Sequence, residues 1–167
     1  NISAHIDNGE YEKAKETALW FDSVFGRGNY YLELQDHGIE EQRRINPQLV
    51  RISREPGIPL AATNDAHYVD KQDSKIQQVL ICIQTNKTIN ESTGFDFETD
   101  EFYLKSEDEM RELFSHVPEA IDNTQVIAEQ CNVEFEFGET KLPNFDVPGG
   151  KDHYEWFRER CFNGLYK

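Results

Sequence analysis

The residues in this sequence best suited to chemistry form one short motif, Asp65-Ala66-His67. Side chains that are two residues apart on an extended strand point to the same side of it. A carboxylate oxygen and an imidazole nitrogen on one side can both reach a divalent cation, because Zn, Mn and Fe accept mixed ligands. The motif therefore predicts a metal site with Asp65 and His67 as ligands. The structural alternative is an aspartate that caps a helix beside a half-buried histidine.

A second pair of candidate ligands, Glu33 and His37, lies at the end of the preceding predicted strand. In a parallel sheet the carboxyl ends of neighbouring strands converge at one edge. If the two strands are neighbours, this pair lies near Asp65 and His67, and we take Glu33 and His37 as second-tier metal ligands. The alternative is that both are ordinary hydrogen-bonding residues in a strand-to-helix turn.

The elements that carry these residues alternate between helix and strand. In chain order, the spacing of apolar residues predicts a helix at 10–25, a strand at 30–35, a helix at 39–55 and a strand at 58–63. Asn46-Pro47 is interpreted as the start of a new helix within 39–55. This alternation predicts right-handed crossovers and a parallel sheet, so the fold class is α/β. Sites in such folds lie beyond the carboxyl ends of the strands, where Asp65 stands.

The second half of the chain is mostly helical. Apolar spacing predicts helices around 76–83, over 117–131 and over 154–165. A further helix is predicted to begin at a capping box formed by Ser106 and Glu109, and residues 86–99 are predicted to form a polar loop. Residues 133–137 alternate between apolar and acidic side chains, which predicts a half-buried strand. Residues 142–150 contain two prolines and two glycines and are typical of a domain linker.

The charge balance argues against a nucleic-acid-binding segment. Seventeen Lys and Arg residues face thirty-two Asp and Glu residues, for a formal net charge of −15, and such a surface repels phosphate. Its simplest role is solubility, and the alternative is docking a basic partner or coordinating metal. The sequence has no stretch that predicts a membrane span, no Gly-rich phosphate loop and no hydrolase nucleophile motif. Its three cysteines fit no metal-finger spacing and are predicted to be reduced thiols in a cytoplasm.

Several segments, in order along the chain, together resemble the alpha subunits of bacterial DNA polymerase III. They are YLELQDHG at 31–38, IPLAATNDAHY at 58–68, EFYLKSEDEM at 101–110, PEAIDNTQVIAEQCNV at 118–133 and LPNFDVP at 142–148. The resemblance covers nearly the whole chain. It implies a partial PHP-type barrel (polymerase and histidinol phosphatase) with alternating strands and helices around a parallel sheet, followed by a mostly helical linker region.

The resemblance also implies a division of the chain. Residues 1–85 would be the C-terminal half of the PHP domain, 86–141 the connection from PHP to palm, 142–150 a linker and 151–167 the truncated start of the palm. PHP domains bind a cluster of divalent metals, which implies ligand roles for Asp65 and His67 with Zn, Mn or Fe. The early histidine motifs of the domain would precede Asn1, and the palm carboxylates that hold Mg for polymerisation would follow Lys167.

The function implied by the resemblance is templated DNA synthesis in the bacterial cytoplasm. The expected partners of the parent are primer–template DNA, the sliding clamp, and a proofreading exonuclease or other replisome subunits, with no membrane. This segment would contain no catalytic residue of polymerisation and would be inactive alone, serving as a metal-supported scaffold beside the polymerase core. Two alternatives stay open: a metal-dependent phosphoesterase that proofreads, and an interaction module whose acidic face docks another replisome subunit.

Overall fold

The structure, a computed structural model, describes residues 2–91, 99–139, 143 and 145–165. The chain divides into two compact units, Asn1–Asn132 and Val133–Lys167. The described residues form seven α-helices and a two-stranded parallel sheet, so the mixed α/β composition is confirmed. None of the helices in these residues is long and apolar enough to cross a membrane.

The sheet of the first unit consists of two short parallel strands, as predicted. Strand β1 (Leu32–Leu34) pairs with β2 (Leu60–Ala62), with Leu32 opposite Leu60 and Leu34 opposite Ala62. These four side chains are buried, whereas Glu33 between them points away from the core. The face that carries these four side chains is therefore packed in the core, and the carboxyl ends of both strands lie at the same edge.

The described residues of the first unit form six helices, five of which were predicted from the sequence. They are α1 (Ile2–Asp7), α2 (Tyr11–Phe25), α3 (Glu40–Arg54), α4 (Ser74–Thr85), α5 (Glu107–Leu113) and α6 (Glu119–Gln130), with a short 3-10 turn at Lys71–Asp73 before α4. The helix α1 was not predicted. The capping box at the start of α5 is confirmed, because the Glu109 amide donates to Ser106 Oγ and the Ser106 amide donates to Glu109 Oε2.

The core lies between the buried sheet face and the helices α3 and α6. Its largest fully buried apolar side chains are Leu34, Ile52, Ile58, Leu60, Phe114 and Val117. Asn123 on α6 donates from its side-chain amide to the Leu60 carbonyl at 2.7 Å, which ties this helix to β2. Burial of this apolar surface supplies most of the stabilisation, and the sheet edge that carries the candidate site is anchored to it.

Pro47 does not start a new helix. The helix α3 runs through it without interruption, although an internal proline removes one hydrogen bond and costs about 3 kcal/mol. Leu49 and Ile52, two and five residues further on, are buried in the core, and the Asn46 side chain donates to the Gln35 carbonyl at 2.9 Å. These tertiary contacts offset the local cost, which the sequence alone does not reveal.

The apolar residues that predicted α4 do not form its buried side. Ile76, Val79, Leu80 and Ile83 are exposed, whereas Ile81 and Cys82 are buried. The helix itself is confirmed. Within the first unit, no described residues cover its broad apolar face.

The second unit contains a 3-10 turn at Pro148–Gly150 and the helix α7 (His153–Leu165). The strand predicted at 133–137 is not formed: Val133, Phe135 and Phe137 are exposed in irregular backbone. A strand needs a neighbour to pair its backbone groups, and the described residues provide none here. Leu142 and Asn144 of the predicted linker, and residues 92–98 of the predicted loop, lie outside the described residues. The four-part division of the chain stays a prediction.

Candidate metal centre

Asp65 and His67 lie side by side just beyond the carboxyl end of β2. Nε2 of His67 is 3.5 Å from Oδ1 of Asp65, and their side chains are 39% and 48% exposed. The predicted proximity of the two donor atoms is therefore confirmed. Both side chains are partly exposed, and by the chemistry of their donor atoms they could contribute one nitrogen and one oxygen to a shared cation.

The backbone brings the two side chains together by a different route from the one predicted. The strand ends at Ala62, and Asp65 has a φ of 47°, in the left-handed region that few residues other than glycine adopt. The side chains therefore do not follow the alternation of a strand. After this bend the His67 amide donates to the Phe102 carbonyl at 2.8 Å, which attaches the motif to the segment before α5.

His37 is a fully packed histidine with both ring nitrogens in use. Its side chain is 1% exposed. Nε2 lies 2.7 Å from the Asn64 carbonyl oxygen, and Nδ1 lies 2.9 Å from the Gln42 amide nitrogen. Since a carbonyl only accepts, Nε2 carries the proton and Nδ1 accepts from Gln42. A metal could bind His37 only by displacing one of these bonds, so its second-tier ligand role stays a prediction that the local geometry does not favour.

Glu33 contacts Thr63 at the sheet edge. Its Oε1 accepts a hydrogen bond from Thr63 Oγ1 at 2.6 Å, and Gln35 Nε2 donates to the same hydroxyl at 3.2 Å. Glu33 and Gln35 also line a cavity of about 300 Å³ beside α3. The carboxylate thus lies near the ends of both strands, and its second-tier ligand role also stays a prediction.

Phe102 lies between the two histidines and was missed by sequence reasoning. Its ring stacks on the His37 imidazole, with centroids 4.0 Å apart and planes 8° apart. The His67 imidazole meets the same ring edge-on, at 5.6 Å and 75°. No spacing in the sequence connects these three residues, because the two contacts join three separate segments of the chain.

Asn64 and Lys105 complete the polar surroundings. The Asn64 side chain donates to the Tyr103 carbonyl at 2.7 Å, and Lys105 Nζ lies 3.4 Å from Asn64 Oδ1. The Lys105 side chain is only 5% exposed, and its ammonium is paired with the Glu101 carboxylate at 3.4 Å. The ammonium of Lys105, paired with Glu101, therefore lies next to Asn64, the residue before Asp65.

The segment that carries Phe102 is anchored to α5 by Tyr103. Its hydroxyl donates to Glu109 Oε1 at 2.6 Å. This bond, with help from desolvation, raises the pKa of Tyr103 to about 12. The same bond, together with the Ser106 amide and hydroxyl, lowers the pKa of Glu109 to about 2. The carboxylate thus fixes both the start of α5 and the position of the 99–105 segment.

The donor set in the described residues is incomplete for a tightly bound ion. A structural zinc site has about four protein ligands, and the described residues hold no group of three or more His, Cys, Asp or Glu side chains suited to a metal. Asp65 and His67 fit a divalent cation by the chemistry of their donor atoms. They supply about half of the ligands such a site requires.

Comparison with known proteins places this sequence within much longer chains. No protein-family model matches it. It is 40% identical over 161 residues to the DNA polymerase III subunit alpha of Treponema pallidum, covering 95% of this chain and 14% of that protein. It is 45% identical over 139 residues to the protein of the same name from Borreliella burgdorferi, covering 83% of this chain and 12% of that one. For the Campylobacter jejuni protein of that name the identity is 43% over 145 residues, covering 86% and 12%.

Proposed function

Because the chain belongs, as one segment, to the DNA polymerase III alpha-subunit family, we propose that its parent is a DNA-directed DNA polymerase and that this segment is a metal-binding scaffold beside the polymerase core. The observation that carries the scaffold role is the Asp65–His67 pair, with its two donor atoms 3.5 Å apart at the carboxyl end of a parallel strand. The parallel pair β1–β2 is, in this proposal, part of a PHP-type barrel.

Two further observations support a metal at this pair. The left-handed backbone of Asp65 is a conformation that costs energy and is found preferentially at functional sites. The two side chains also remain half exposed, although the turn around them is tied to the core through buried His37. In the parent, Asp65 and His67 would hold Zn, Mn or Fe together with ligands from outside this segment. The bound ion would supply a strong positive charge that joins chain segments distant in sequence.

The rest of the polymerase machinery would lie elsewhere in the parent. Polymerisation would use Mg held by palm carboxylates outside this segment. Primer–template DNA, the sliding clamp and a proofreading exonuclease or other replisome subunits are the proposed partners, in the bacterial cytoplasm. The net charge of −15 makes this segment a poor surface for DNA, which agrees with a scaffold role.

The test of the scaffold role uses the full-length parent. We expect His67→Ala and Asp65→Asn to lose Zn after dialysis against a chelator and reloading, with metal measured by emission spectrometry. His116 is exposed, so His116→Ala is the matched control and should retain the metal of the parent. Equal metal content in all four proteins would contradict the proposed site.

Metal-dependent phosphoester cleavage is a second candidate function, favoured by the exposure of Asp65 and His67. An ion held by accessible ligands can activate water for attack on phosphorus. The assay is removal of a labelled 3′ nucleotide from a primer by the full-length parent. We expect this activity, if it belongs to the site, to fall with His67→Ala and to persist with His116→Ala. Activity unchanged in both variants would assign it to another site or to a contaminant.

A further inference from the structure

We propose that Phe102 is a positioning residue that orients the His67 imidazole for metal binding. The inference rests on the proposed metal role of the Asp65–His67 pair and adds to it the part of the structure that holds one of the ligands in place. Phe102 is itself 7% exposed and has no donor atom in its side chain, so its contribution would be through shape and packing.

Phe102 contacts His67 in two ways. Its ring meets the imidazole edge-on at 5.6 Å, an arrangement in which aromatic rings attract each other. Its carbonyl oxygen accepts the His67 amide at 2.8 Å, which fixes the backbone from which the imidazole projects. The His67 side chain is 39% exposed, and its imidazole packs against the buried ring of Phe102.

The ring of Phe102 is held by His37 on its other side. The two rings are parallel and 4.0 Å apart. His37 cannot rotate freely, because its ring bonds to the Asn64 carbonyl and to the Gln42 side chain. Gln42 also accepts the His37 amide at 2.8 Å, and Thr99 donates to the His37 carbonyl at 2.8 Å. The order of contacts is therefore Gln42, His37, Phe102, His67.

This arrangement explains why a buried histidine lies beside an accessible one. The fixed ring of His37 holds the Phe102 ring in place. The Phe102 ring in turn limits the orientations open to the His67 imidazole. A half-exposed histidine without such support would lose rotational freedom when it binds metal, which weakens affinity. Hydrogen-bonding partners that orient metal ligands typically change metal affinity by about 10- to 100-fold when they are replaced, and we expect a packing contact to act at the lower end of that range.

The test is Zn²⁺ affinity in the full-length parent, measured by competition with a chelating dye. We expect Phe102→Leu to weaken Zn²⁺ binding about tenfold. Phe114→Leu is the matched control, because Phe114 is equally aromatic, is 1% exposed in the core and packs its ring against His116. It should lower thermal stability while leaving the affinity of the folded protein unchanged. His67→Ala, in the same series, reports whether the metal is at this site at all.

The outcomes separate the two proposals. Zn²⁺ binding unaffected by His67→Ala would overturn the metal role itself. Binding lost in His67→Ala but equal in the Phe102 and Phe114 variants would overturn only the positioning role. If Phe102→Leu does not fold, Gln42→Met decides, because Gln42 is half-buried and its replacement removes the bonds that fix His37. It should weaken Zn²⁺ binding in the same direction by a smaller factor, and an unchanged affinity would overturn the proposal.

Discussion

Replacing His37 with alanine separates a structural histidine from a metal ligand. The ring makes hydrogen bonds of 2.7 Å and 2.9 Å to Asn64 and Gln42 and stacks on Phe102 at 4.0 Å. A net hydrogen bond contributes about 1 kcal/mol, and an aromatic stack adds about 1 kcal/mol. We therefore expect His37→Ala to lower the free energy of unfolding by about 3 kcal/mol, that is, two hydrogen bonds and one stack.

The assay is urea unfolding of the 167-residue chain, followed by far-UV circular dichroism with and without a chelator. With a denaturant slope of about 2 kcal/mol per molar, the expected loss moves the midpoint down by about 1.5 M. The shift should be nearly the same under both conditions, because both ring nitrogens of His37 are hydrogen-bonded within the protein and the isolated chain is expected to retain little metal. The control is His116→Ala, an exposed substitution that removes one ring contact with Phe114 and should change stability by about 1 kcal/mol or less.

A metal dependence in the His37 variant would refute this reasoning. If the chelator-treated proteins unfolded at the same midpoint while Zn²⁺ stabilised only the unmutated chain, His37 would be a ligand. Its hydrogen bonds to Asn64 and Gln42 would then be replaced when metal binds.

Three further predictions follow from the site and its surroundings. In the full-length parent, at a metal concentration a hundredfold above the dissociation constant, His67→Ala should remove up to about 2.7 kcal/mol of metal-linked stability. Primer extension should change little. A collapse of primer extension with unchanged melting temperature and metal content would contradict the scaffold role. The isolated chain should retain little metal after dialysis against a chelator and should incorporate no nucleotides, as checked by emission spectrometry and primer extension. The pKa of Glu109 is lowered from 4.5 to about 2, so its contribution to stability should be complete above pH 4.5 and lost as the pH falls towards 2. The pKa of Tyr103 is raised from 10.0 to about 12, so its contribution to stability should be complete below pH 10 and lost between pH 10 and 12. Unfolding midpoints of Glu109→Gln across pH 2–5 test this, since the variant should lack the acid-side loss that this carboxylate causes.

The parts of the fold that the sequence predicts are those governed by local rules. The helix Tyr11–Phe25 follows from apolar spacing, and α5 begins where its capping box predicts. The parallel strands follow from the alternation of elements. Pro47 within α3 and the exposed residues 133–137 were not predictable, because neighbouring segments decide whether a broken hydrogen bond is offset or a strand finds a partner.

The candidate site shows the same division between local and tertiary effects. Asp65 and His67 were identifiable because they are two residues apart and follow an apolar strand. Their actual geometry depends on a left-handed turn at Asp65, which the spacing does not encode. Phe102 and the hydrogen bonds of His37 arise from contacts between distant segments, so residue type alone could not distinguish the buried histidine from the accessible one.

The hydrogen bond from Thr99 to the His37 carbonyl spans 62 residues of sequence, which bears on when the site forms during folding. Closing a loop of that length costs about 4 kcal/mol of chain entropy before any contact offsets it. The capping box of α5, in contrast, joins residues three apart and can form early. We expect the turn around His37, Phe102 and His67 to order after the transition state, so substitutions there should accelerate unfolding and leave the folding rate almost unchanged.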